Sequence, residues 1–87
     1  MEQKIVLNNE TGMHARPAGV FVKLAQQFQS QVNVTFSGKS VNGKSVMSLL
    51  TLGLKNGSEF QITTNGSDES DALKALIALV ESKFNHE

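Results

Sequence analysis

The chain has no cysteine, no tryptophan, no tyrosine and a single proline. The missing cysteine excludes disulfides, thiolate nucleophiles and cysteine-ligated zinc. It also fits a reducing compartment. Neither sign of charge is in surplus: 8 Lys and Arg balance 8 Asp and Glu, for a formal net charge of zero. Binding nucleic acid through bulk electrostatics needs a basic surplus, so that class is set aside. Long apolar runs are missing too. The run Leu76 to Val80 is far too short to span a bilayer. The opening residues MEQKIVLNNE are polar and acidic, where a signal peptide needs an apolar run. The expectation is a soluble, cytoplasmic protein without membrane contact.

What is present fits one domain, taken as residues 1–87, with 39% hydrophobic residues to build a modest core. Ile5 and Leu7 would share one face of a short strand over 4–7. From Pro17, the residues Ala18, Phe21, Val22, Ala25 and Phe28 fall at helical spacing. Pro17 suits the first helical position, where its missing N–H is no loss. Val32, Val34 and Phe36 alternate with polar residues, the mark of a half-buried strand. Ser37-Gly38 reads as a hairpin turn into a strand through Val41. Ser45 to Leu52 reads as a short helix, with Ser45 as its N-cap and Gly53 closing it. Phe60, Ile62 and Thr64 form a fourth strand. Ser67 to Ser70 starts a last helix whose buried stripe is Leu73, Leu76, Ile77, Val80 and Phe84. The order β-α-β-β-α-β-α predicts an α+β, open-faced two-layer sandwich, with helices on one face of a mostly antiparallel sheet.

The chemistry concentrates at GMHARPAG, residues 12–19. A helix start presents unpaired backbone N–H groups and partial positive charge. A protonated imidazole is disfavoured there, which leaves a neutral ring with a nucleophilic lone pair. Attack by His14 on a phosphoryl group would place a multiply charged anion where helix starts bind anions readily. Arg16 adds a permanent cation with bidentate geometry for phosphate oxygens. On composition alone, a plain loop histidine beside a solvated arginine is the simpler reading. No metal site is expected: the second histidine, His86, lies in the C-terminal tail, and neither has a clustered acidic partner.

Gly12-Met13-His14-Ala15-Arg16-Pro17-Ala18 resembles the active-site motif of HPr, the histidine-containing phosphocarrier family of the bacterial phosphotransferase system. A second stretch, Gly38-Lys39 through Lys44-Ser45-Val46-Met47 to Leu52-Gly53, resembles the regulatory serine motif of the same family. Two separated motifs in register are far more specific than either alone. The resemblance implies a four-stranded antiparallel sheet covered by three helices. It implies a carrier without turnover of its own and without a cofactor. Such a carrier accepts a phosphoryl group on His14 from phosphorylated enzyme I and passes it to enzyme IIA proteins. Arg16 matches the assisting arginine, the Ala15 and Arg16 amides would contact the phosphate, and Thr11 and Gly12 sit in the loop shaping the site.

Ser45 matches the serine modified by an HPr kinase/phosphorylase, with a catabolite repressor protein as the partner of the modified form. A plain N-cap is the structural alternative, and the two are compatible. Lys44 by itself reads as a solvated charge. Gly19, Val46, Met47 and Leu50 match the patch that docks enzyme I and IIA. Three positions depart from the family pattern: Ser48 stands where glycine is common, Leu50 where methionine is common, and Gly19 where alanine or threonine is common. A paralogous branch carries glutamine in place of the histidine and keeps only the regulatory role; His14 argues against it. A mainly regulatory protein acting through phospho-Ser45 is the second reading. A monomer is the default expectation.

Overall fold

Alternation along two strands decides the sheet. Val32 and Val34 are buried, and so are Phe60, Ile62 and Thr64, while Gln31, Asn33, Glu59, Gln61 and Thr63 keep contact with solvent. A strand turns successive side chains to opposite faces, so one face of the sheet must be covered and the other stays open. The computed structural model describes residues 1–10, 12–82 and 84. Its elements are β1 (Glu2–Val6), α1 (Ala15–Ala25), β2 (Gln31–Phe36), β3 (Lys39–Asn42), α2 (Val46–Leu50), β4 (Glu59–Asn65) and α3 (Glu69–Glu81). The four strands form one antiparallel sheet in the order β1-β4-β2-β3. The expected β-α-β-β-α-β-α sandwich is therefore the observed architecture.

Register follows from burial. Val34 stands opposite Ile62, Val32 opposite Thr64, and Ile5 opposite Phe60. A slip of one residue would send these apolar side chains to the open face. The β2–β3 turn is Ser37-Gly38, both with positive φ, 52° and 82°. Two positive φ values define a turn whose twist matches that of the strands it joins. Above the covered face lie Ala18, Phe21, Val22 and Ala25 of α1, Leu49 of α2, and Leu73, Leu76, Leu79 and Val80 of α3. Leu79 belongs to that stripe although the periodicity did not include it, and Ile77 is only partly buried.

Several element ends differ from the sequence expectation. α1 begins at Ala15, so Pro17 is its third residue, not its first. None of the first N–H groups of a helix has an intrahelical acceptor, so a proline fits anywhere in that turn. α2 ends at Leu50 rather than Leu52 because the chain tightens there: the Leu52 and Gly53 amides reach back three residues, to the Leu49 and Leu50 carbonyls. Phe28 lies beyond α1 and is half-buried.

The Asp68 side chain joins two loops at the end of the sheet where β2 begins. Its carboxylate accepts hydrogen bonds from the Gln29 amide at 2.9 Å, the Ser30 amide at 2.9 Å and the Ser30 hydroxyl. Asp68 is the N-cap residue of α3 yet makes no side-chain cap bond, because its oxygens serve this clasp. The Ser30 hydroxyl, followed by the Gln29 amide, holds the Asp68 carboxyl below its ordinary value of 3.8. A depressed folded-state pKa stabilises above the unfolded value, and that stability is lost as pH falls through the folded value.

Two predictions follow from this packing. Asp68→Ala should lower the melting temperature at neutral pH, and the difference from the parent should shrink as pH drops below the ordinary carboxylate range. A gap that stays constant across that range would remove the clasp from the account. Phe21, fully buried, should cost about 3–5 kcal/mol when cut to alanine, measured by denaturant unfolding.

Candidate functional site

The loop leading into α1 is anchored from below. Gly12 has φ 71° and is buried; a Cβ built on it would meet the Leu54 carbonyl oxygen at 2.7 Å and Lys55 Cα at 3.1 Å. Both the dihedral and the crowding demand glycine. The Gly12 amide donates to the Asn9 carbonyl at 3.1 Å, and its own carbonyl accepts from Asn9 Nδ2 at 2.8 Å. These bonds commit Gly12 to shaping the loop. The next amide, Met13, donates to the Leu54 carbonyl at 3.0 Å, and the Met13 side chain is buried. Thr11 lies outside the described residues, as does His86.

His14 follows as the N-cap residue of α1, extended at φ −94° and ψ −169°, and exposed to solvent. Its carbonyl accepts the first intrahelical bond, from Ala18 at 3.0 Å. Between them stand Ala15, Arg16 and Pro17. Pro17 has no N–H to offer. The Ala15 and Arg16 amides are thus the open donors of this helix start, and neither has an acceptor among the described residues. Both residues are exposed, and no acidic side chain occupies the first turn. Proline at the third position narrows the site to two adjacent donors beside one histidine and one guanidinium. Such an arrangement can hold the oxygens of an anion and offers a ring nitrogen at its edge. Among the described residues, no group of three His, Asp or Glu side chains is placed to hold a metal ion.

The second motif opens α2. Ser45 is extended, and its hydroxyl accepts from the Ser48 amide at 3.3 Å. This is the N-cap expected from the sequence. The loop before it is fixed on two sides. The buried Gly43 donates its amide to the Val32 carbonyl at 2.7 Å, and a Cβ there would come within 2.6 Å of Val32 Cγ1. Lys44 is not the solvated charge expected: its Nζ donates to the Phe28 carbonyl at 2.8 Å, and its amide donates to Asn42 Oδ1 at 2.9 Å. The chain reversal after α1 leaves the Phe28 carbonyl facing this loop, a pairing that only the tertiary fold supplies.

α2 packs against α1 and turns Met47 outward, 76% exposed, with Leu50 at 37%. Val46 is half-buried. Gly19 lies within α1, half-buried, and a Cβ there would meet nothing within 4 Å. No feature of the fold requires glycine at that position. Asn9 is the contributor that sequence reasoning missed. It is 3% exposed and braces the loop before His14. The NNETG cluster signalled a turn but not which asparagine would be buried.

These features match a known family along nearly the whole chain. The family model described as the PTS HPr component phosphorylation site covers residues 1–82. The chain belongs to the HPr family. HPr-like protein Crh of Halalkalibacterium halodurans is 40% identical over 83 residues, covering 95% of this chain and 99% of the relative. The structure of HPr from Thermoanaerobacter tengcongensis superposes with a TM-score of 0.96 at 45% identity, covering 100% of this chain and 98% of that one. The Bacillus subtilis catabolite-repression protein Crh superposes with a TM-score of 0.78 at 41% identity over 93% of each chain, and is a swapped, intertwined dimer. The monomer expectation therefore does not extend to every HPr relative. HPr proteins are phosphocarriers of the phosphotransferase system, not catalytic enzymes, and Crh ties the family to catabolite repression.

The geometry yields two stability predictions. Ser45→Ala should lose about 1 kcal/mol of stability through the missing cap, read by thermal or denaturant unfolding. Gly19→Ala should gain up to about 1 kcal/mol, since alanine favours the helix and meets no clash; a loss would assign that glycine a structural duty.

Proposed function

We propose that this protein carries a phosphoryl group on His14, taken from phospho-enzyme I and handed to enzyme IIA components during sugar uptake. The observation that carries this reading is the exposed His14 at a helix start whose two open amides, Ala15 and Arg16, flank it. In the accepting step an imidazole nitrogen donates its lone pair to phosphorus as the donor's bond to phosphorus breaks. A P–N bond results, and the donor leaves with the bonding electrons. The three phosphoryl oxygens then lie within reach of the amides and of the Arg16 guanidinium. Donation to enzyme IIA reverses the step onto a new acceptor. Thr11 and Gly12 shape the approach. A shallow site suits the role, because two different partners must reach one nitrogen and both must leave again.

Gly19, Val46, Met47 and Leu50 form the docking surface beside it. An exposed methionine is a flexible, polarizable contact that accommodates different partners. Ser45 is the regulatory position. Phosphorylation by an HPr kinase/phosphorylase would place about two negative charges next to Met47 without unfolding α2. That charge weakens apolar docking with enzyme I and favours a catabolite repressor protein. Residues 1–87 act as one domain in the cytoplasm. No helix among the described residues is long and apolar enough to cross a membrane.

The second reading, a mainly regulatory protein working through phospho-Ser45, is favoured by one observation, the 40% identity to HPr-like Crh. Acid treatment separates the two, because phosphohistidine is acid-labile and phosphoserine is not. Incubation with enzyme I, Mg²⁺ and phosphoenolpyruvate should give an acid-labile phosphate that His14→Ala abolishes. Acid-labile label on the alanine variant would refute the carrier assignment. Label gained only with ATP and the kinase, acid-stable and lost in Ser45→Ala, would move the assignment to the regulatory reading.

A further inference from the structure

Asparagine followed by glycine is the most labile peptide pair in proteins, because nothing on glycine hinders attack of its nitrogen on the asparagine side chain. The chain has three such pairs, Asn42-Gly43, Asn56-Gly57 and Asn65-Gly66, and asparagine is among the residues that heat-adapted proteins discard. All three asparagines are exposed. What separates them is where the attacking nitrogen is held.

The Gly43 amide donates to the Val32 carbonyl at 2.7 Å, and the Asn42 side chain is itself engaged by the Lys44 amide at 2.9 Å. The Gly57 amide donates to the Leu7 carbonyl, also at 2.7 Å. Both acceptors are main-chain oxygens of the packed fold. They hold the nitrogen in place and cannot carry its proton away. The Gly66 amide is different. It donates to Glu69 Oε1 at 3.2 Å, at an exposed position. This acceptor is a side-chain carboxylate, able to take a proton, whose other oxygen lies 3.5 Å from the Met1 ammonium.

We propose that Asn65 is a self-modification site, converted to aspartate or isoaspartate with the Glu69 carboxylate as proton acceptor. The Gly66 N–H proton passes to Glu69 as the nitrogen attacks Asn65 Cγ. A ring C–N bond forms, the Cγ–Nδ2 bond breaks, and ammonia leaves with the proton returned from Glu69. Water, the sole co-reactant, then opens the cyclic imide at either carbonyl. The product carries one more negative charge, changing the formal balance from 8 against 8 to 8 against 9. The new charge sits beside Asp68 and Glu69, where α3 begins. The isoaspartate route also lengthens the backbone where Gly66 is pressed against Ser30, with a hypothetical Cβ only 2.7 Å from Ser30 Cα. Asn65 stands at the opposite end of β4 from the loop that bears His14, so conversion should loosen the α3 end of the sheet and leave the His14 site intact.

The test is to age the full chain in mildly alkaline buffer and to map peptides by mass spectrometry. Asn65 should convert several-fold faster than Asn56 or Asn42. In Glu69→Gln the Asn65 rate should fall several-fold while the Asn56 rate, an internal control within the same molecules, stays put. Conversion led by Asn56 or Asn42, or spread evenly over the three, overturns the proposal. So does a Glu69→Gln variant in which Asn65 converts at the parent rate or faster, since that would make the carboxylate a restraint rather than a proton acceptor.

Discussion

Everything at the candidate site depends on the seat that Leu54 gives to residues 12 and 13. The Leu54 carbonyl accepts the Met13 amide and lies so close to Gly12 that no side chain fits between. The loop before α1 is thereby tied to the segment after α2, two stretches far apart in the chain. His14 inherits its extended conformation from that anchor, and the helix behind it starts with its amides facing outward. Removing the anchor would leave the same residues in sequence but no fixed direction for the donors. A helix start attracts anions only when its N–H groups converge on one point.

Proline placement refines this arrangement. At the third helical position Pro17 withdraws one donor and packs into the interior, while Ala18 satisfies the His14 carbonyl. Two adjacent donors remain, followed at once by a guanidinium. Restriction of this kind suits reversible capture. A site with more donors would hold a dianion more tightly, whereas a carrier must release it to the next protein.

The two motifs share one helical layer. α1 and α2 pack together; α2 exposes its apolar methionine, and Arg16 is exposed in the first turn of α1. Ser45 is held by a loop whose lysine reaches the Phe28 carbonyl beyond α1. A charge added at Ser45 would therefore enter a rigid surface. Placed at the N-cap of α2, it would not need to reshape the helix.

Periodicity was enough to read the order of elements, the buried stripes of β2 and β4, the Ser37-Gly38 turn and the Ser45 cap, because each depends on residues within a few positions of one another. That the HARP stretch stands at a helix start was legible for the same reason: histidine, arginine and proline lie within one turn of helix. Other features were beyond that reach. That Asn9 is the buried brace, that Lys44 is tied down, that Asp68 clasps Ser30 and leaves α3 without a side-chain cap, and that Gly43 and Gly66 lie against Val32 and Ser30 were all decided by tertiary structure. The physical reason is the same in every case. A backbone carbonyl or a crowded Cα offers its partner only after distant segments have been brought together by burial of the apolar face, and no local pattern records which segment will arrive.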